Sequence, residues 1–80
     1  MTHLLVRLRP DVQRTVDRVV AEAFPLIPDR GQPVPRRLWE LYGRAKADVS
    51  AQCGWDAPAD RYDPEQYELA VRSFVDRVGI

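Results

Sequence analysis

The sequence predicts an all-α fold: a three-helix bundle with a proline-rich strap between the first two helices and a short extended arm at the N-terminus. Three observations carry this expectation. Three segments each place apolar residues at helical spacing along one face. Each is bounded by residues that start or stop helices, with Pro10, Pro35 and Asp63 at the beginnings and Pro25, Gly54 and Gly79 at the ends. Four of the seven prolines fall within the twelve residues from Phe24 to Pro35, so neither flanking helix can run through them. Three amphipathic helices with one stripe apiece bury those stripes by meeting one another.

The first helix is expected over Pro10–Ala23. Proline suits the first helical position, where its missing donor costs nothing, and Asp11 sits near the positive end of the helix dipole. Val12, Val16, Val19, Val20, Ala23 and Phe24 form its apolar stripe, with Arg14, Arg18 and Glu22 on the other side. Arg18 and Glu22 are spaced to pair at i,i+4, whereas Arg14 and Arg18 repel. The strap that follows carries Phe24, Leu26, Ile27 and Val34. That content predicts a semi-rigid cover over the core instead of a loose linker.

The second helix is expected over Pro35–Cys53. Leu38, Leu41, Tyr42, Ala45, Val49 and Cys53 make its core stripe, and Glu40–Arg44 and Arg44–Asp48 are spaced as solvent-side pairs. Gly54 is a natural residue to follow the C-cap, with Trp55 folding back on the last turn. The far face is small, built from Gly43, Ala47, Ser50 and Ala51, with Trp39 on its border. A polar loop containing Pro58 leads to the third helix. There Asp63-Pro64-Glu65-Gln66 has the pattern of a capping box. Tyr67, Ala70, Val71, Phe74, Val75 and Val78 form the third stripe, Glu68 and Arg72 are spaced to pair, and Leu69 falls opposite the stripe. At the N-terminus Leu4, Val6 and Leu8 alternate with Leu5, Arg7 and Arg9, a period of two that suits an extended arm. No second strand is evident to pair with it.

Eighty residues are expected to form a single domain, 1–80, with a modest core. Cys53 is the only cysteine, so no disulfide closes within the chain. His3 and Cys53 fall short of the four ligands a structural zinc site uses, and no cofactor is expected. No segment approaches the roughly 20 apolar residues that span a bilayer, and Met1–Leu8 is too short for a secretory signal. The expected location is the cytoplasm, and a bacterial or phage setting if eleven arginines against one lysine reflect GC-rich coding.

Twelve basic and twelve acidic side chains cancel, but unevenly. Residues 1–47 hold nine basic and five acidic groups, and residues 48–80 hold three basic and seven acidic. A neutral total argues against strong non-specific binding of nucleic acid, and in the simplest reading the two halves neutralise each other.

Candidate chemistry is sparse. His3 has no orienting partner in the sequence, and Cys53 falls on a core stripe, where a thiol is inert. Asp56, Asp60, Asp63, Glu65 and Glu68 cluster but lack the glycine and alternating spacing of a calcium loop. No phosphate loop, nucleophile elbow or metal motif is present, and no enzyme is expected. The leading expectation is a small protein-binding module that docks on a protein partner, a second copy of itself included, comparable in type to phage and mobile-element inhibitors or small regulatory subunits. Its expected carriers are Trp39, Arg36, Gly43, Lys46 and Ala47, with Trp55 and Leu69 second, since tryptophan and arginine dominate binding hot spots. The alternative is a small nucleic-acid-binding regulator using Arg36, Arg37, Arg44 and Lys46. The strap is too long for the turn of a helix-turn-helix, which weakens that alternative.

Overall fold

The expected periodicities are realised as three packed helices: α1 (Pro10–Ala23), α2 (Arg36–Gln52) and α3 (Pro64–Val78). The computed structural model describes residues 7–54 and 62–80. Among these residues the protein is an all-α three-helix bundle with no strand. Val12, Val16, Val19, Val20 and Ala23 from α1, Leu38, Leu41, Ala45 and Val49 from α2, Cys53 just beyond it, and Ala70, Phe74 and Val78 from α3 form one core. Each helix packs against the other two.

The helix ends follow from local chemistry. Pro10 occupies the first position of α1, and the Arg9 carbonyl accepts from the Gln13 amide at 2.8 Å. Thr15, buried within the helix, is satisfied by donating to the Asp11 carbonyl at 3.4 Å. α2 ends at Cys53, and Gly54 takes a φ of +88°, which glycine reaches without steric cost. Its amide donates to the Ala51 carbonyl at 3.2 Å, one half of the expected end motif. Trp55, which would make the other half, lies outside the described residues. α3 also ends at a left-handed glycine, Gly79, whose φ is +80°, but there the amide keeps the helical bond to the Val75 carbonyl at 2.8 Å.

The start of α3 departs from the expected capping box. Asp63 does cap it, accepting from the Gln66 amide at 3.2 Å. Gln66 does not return the bond. Its side chain is buried and spans two backbone groups of the N-terminal segment, accepting from the Arg9 amide at 2.9 Å and donating to the Arg7 carbonyl at 2.8 Å. The Asp63 amide is satisfied instead by the Cys53 carbonyl at 2.9 Å. Replacing Asp63 with alanine should cost about 1 kcal/mol, read as a lower urea midpoint with an unchanged slope.

The strap lies on the core, as its apolar content requires. α1 does not simply stop at Pro25: Phe24–Leu26 tighten into a 3-10 turn. Leu26, Ile27 and Val34 pack against the core from partly buried positions. The tip is a reverse turn in which the Gln32 amide donates to the Asp29 carbonyl at 3.0 Å. Gly31 sits at the third position of that turn with a φ of +86°, where most residues would be strained.

Phe24 corrects the sequence reading. It was expected on the α1 stripe but is 68% exposed. At 3.6 residues per turn it falls about 90° from the stripe's centre, and the chain turns away before another element can cover it. The arm is described only from Arg7. Arg7–Arg9 forms no strand, Arg9 is extended, and Leu8 packs on the core. Leu4, Val6 and the rest of the proposed alternation lie outside the described residues.

Candidate functional site

The outer face of α2 is built by elimination. Its inner stripe is committed to the core, and its two flanks are held by the neighbouring helices. On the flank toward α3, half-buried Tyr42 stacks on Phe74 with centroids 6.0 Å apart and rings 15° from parallel. Trp39 meets Tyr42 edge-on at 6.1 Å, and the Lys46 ammonium sits 4.5 Å above the same ring. Trp39 remains 50% exposed. A large indole is thus held in place by Tyr42, which is anchored on buried Phe74, while half its surface faces solvent.

On the flank toward α1 the expected ion pairs are exchanged for others. Arg44 reaches Glu22 at 3.5 Å instead of Glu40, and Asp48 pairs with Arg18 at 3.1 Å instead of Arg44. Arg18 also approaches Glu22 at 3.7 Å, the expected i,i+4 pair. The physical reason is the packing itself: these side chains line the seam between α1 and α2, so cross-helix partners are as near as those one turn away. These pairs are solvent-exposed and each contributes little. Glu22, Arg37, Glu40 and Arg44, with Pro25, Leu26 and Leu41, line an open groove along this seam.

Between the flanks lie Arg36, Gly43 and Ala47, all exposed. Gly43 has ordinary helical geometry, and a Cβ built on it meets nothing within 4 Å. Arg36 and Arg37 open the helix without an acidic residue in its first turn, and Pro35 supplies no side-chain cap. Two positive charges therefore sit at the positive end of the α2 dipole.

The structure thus brings Trp39, Arg36, Gly43, Lys46 and Ala47 to one exposed side of α2. Leu69 is elsewhere, half-buried on α3 beside Glu65, Glu68 and Arg72. Trp55, His3, Asp56 and Asp60 lie outside the described residues. Tyr42 was expected only as a core residue, yet it positions both Trp39 and Lys46. The signal was present in the spacing, since Trp39, Tyr42 and Lys46 stand at i, i+3 and i+7 on one helix. The basic residues of the nucleic-acid alternative are not gathered on one side. Arg37 and Lys46 project about 180° apart at 3.6 residues per turn, and Arg44 is engaged with Glu22.

Cys53 is 1% exposed, and burial pushes its thiol above the ordinary range, outweighing the opposing charge of Arg9. Asp17 is lowered, first by its hydrogen bond from Arg77 at 2.6 Å and then by Gln13 at 2.9 Å. Among the described residues no three His, Cys, Asp or Glu side chains converge as metal ligands, and no helix is long and apolar enough to cross a membrane. No family model, curated protein or solved structure matches this chain.

Proposed function

We propose that this protein is a non-enzymatic binding module that docks on a protein partner through the outer face of α2, in an inhibitory or regulatory role. The observation that carries the reading is Trp39, half exposed yet held in place by Tyr42, which is itself stacked on Phe74. An exposed aromatic anchor on a stiff element contributes binding energy with little ordering cost. Gly43 and Ala47 beside it let another backbone approach closely, and Lys46 and Arg36 supply charge at the margin.

The test is a photo-crosslinking residue placed at Ala47 in the full chain, with the same residue at Arg72 on α3 as the control. A discrete protein adduct is expected from position 47 only, and it should disappear in Trp39→Ala while the helical circular dichroism is unchanged. Adducts insensitive to Trp39→Ala would sink the reading. So would retention of the protein on duplex DNA that falls steeply with salt, which would favour the nucleic-acid alternative.

A further inference from the structure

Gly43 poses a question that the isolated chain does not answer. An exposed glycine in the middle of a helix is about 1 kcal/mol less favourable than alanine. Elsewhere the chain uses glycine where φ is positive, at Gly31, Gly54 and Gly79. Gly43 has no such conformation, and nothing within 4 Å would obstruct a Cβ. Among the described residues, its missing side chain serves neither the local backbone nor the packing.

We propose that a second copy of this chain covers the face, with the two α2 helices packed antiparallel about a two-fold axis passing beside Gly43. The inference rests on the reading of this face as a protein-binding surface and names its occupant. The order of charges along the helix favours this pairing. In an antiparallel isologous pair, each flank meets the same flank of the other copy, with the sequence order reversed. On the flank toward α3, that reversal sets Trp39 against the second copy's Lys46, a cation over an exposed indole. On the flank toward α1, it sets Glu40 against the second copy's Arg44. Glu40 has no ion-pair partner among the described residues within the chain. At the ends, Arg36, which stands at the unfavourable positive pole of its own helix, gains the negative C-terminal pole of the other α2 beside it.

All three relations are centred within about one residue, ~1.5 Å of helix rise, of the register that puts Gly43 against Gly43, where the backbones must come closest. A parallel pairing fails on the same criteria, because it sets Arg36 against Arg36. The seam is the length of α2, 17 residues or about 26 Å. An interface of that size is small, so the pair should be a weak, reversible dimer.

The test is sedimentation equilibrium of the full chain across the micromolar to millimolar range. The wild type should associate to a dimer and no further. Gly43→Gln should raise the melting temperature of the dilute monomer by about 2–5 °C while abolishing the dimer, which separates loss of association from loss of fold. Glu40→Arg and Arg44→Glu should each weaken the dimer at least about tenfold, because the reversed pair occurs twice by symmetry. Mixing those two variants should restore association, since in the mixed pair both contacts are again opposite in charge. A wild type that stays monomeric throughout overturns the proposal. So does a dimer indifferent to Gly43→Gln, or variants that fail to complement on mixing. If the chain is monomeric but a Trp39-dependent crosslink to a different protein forms, only the self-pairing falls and the binding face stands. If neither association nor crosslink appears, both fall.

Discussion

Phe74→Ala is expected to destabilise the protein by about 3–5 kcal/mol, the range for truncating a buried aromatic. Phe74 is 2% exposed and reaches the centre of the core from α3. Removing it takes away the transfer energy of a phenyl ring and leaves a void that α1, α2 and α3 can collapse into only partly. Small domains have about 5–15 kcal/mol of total stability, so the loss is a large share of the whole. Phe74 also stacks on Tyr42, which holds Trp39 and Lys46. The variant should therefore loosen the candidate face as well as the core. Urea unfolding measures the first effect, and near-ultraviolet circular dichroism of the aromatic side chains reads the second. Phe74→Leu is expected to recover most of the stability but not the aromatic signal, because it refills volume without restoring the stack. A Phe74→Ala loss below about 1 kcal/mol would mean that the core collapses around the missing ring, contrary to close packing.

Gln66→Ala is expected to cost about 1–3 kcal/mol, the penalty for leaving partly buried backbone groups without partners. The primary amide of Gln66 is suited to its place because it is donor and acceptor at once. Its oxygen takes the Arg9 amide at 2.9 Å and its nitrogen serves the Arg7 carbonyl at 2.8 Å. It thus holds the N-terminal segment as a neighbouring strand would, using one side chain. Arg9 in turn donates to the Gln52 carbonyl at 3.0 Å, which ties the same segment to the end of α2. Loss of Gln66 should speed hydrogen exchange at the Arg9 amide far more than at amides in the middle of α1. Gln66→Leu keeps the volume and removes both bonds, so it should show the same exchange effect with less loss of stability. Slow exchange at Arg9 in both variants would show that the segment is held by something other than Gln66.

Much of the fold was legible in the sequence because helix boundaries are local. Pro10, Pro35, Asp63, Gly54 and Gly79 act through their own backbone geometry and within a residue or two of themselves, and α2 differs from its expected span by one residue at each end. The inner stripes were legible because a period of 3.6 points to one side whatever lies there. Gln66 was misread because its pattern has two uses. The spacing that lets a glutamine return a bond to its cap also lets it reach another segment, and sequence spacing does not say which backbone group is near.

The candidate face was partly legible. Trp39, Gly43 and Ala47 fall on the outer side of α2 by periodicity alone. That Trp39 is held by Tyr42 over Phe74 depends on α3 lying against that flank, which no spacing within α2 encodes. The same holds for Arg44 and Asp48, whose partners Glu22 and Arg18 are near only because α1 packs alongside.

By itself the sequence determined three helices, their ends, their inward faces and a strap that must cross the core, because proline, glycine and capping aspartate constrain the backbone where they stand. The tertiary structure decided which helix flank meets which neighbour. It thereby decided the cross-helix ion pairs, the tether through Gln66 to Arg7 and Arg9, the exposure of Phe24, and the support beneath Trp39. Those features join residues far apart in the chain, and their proximity exists only once three stripes have been buried against one another.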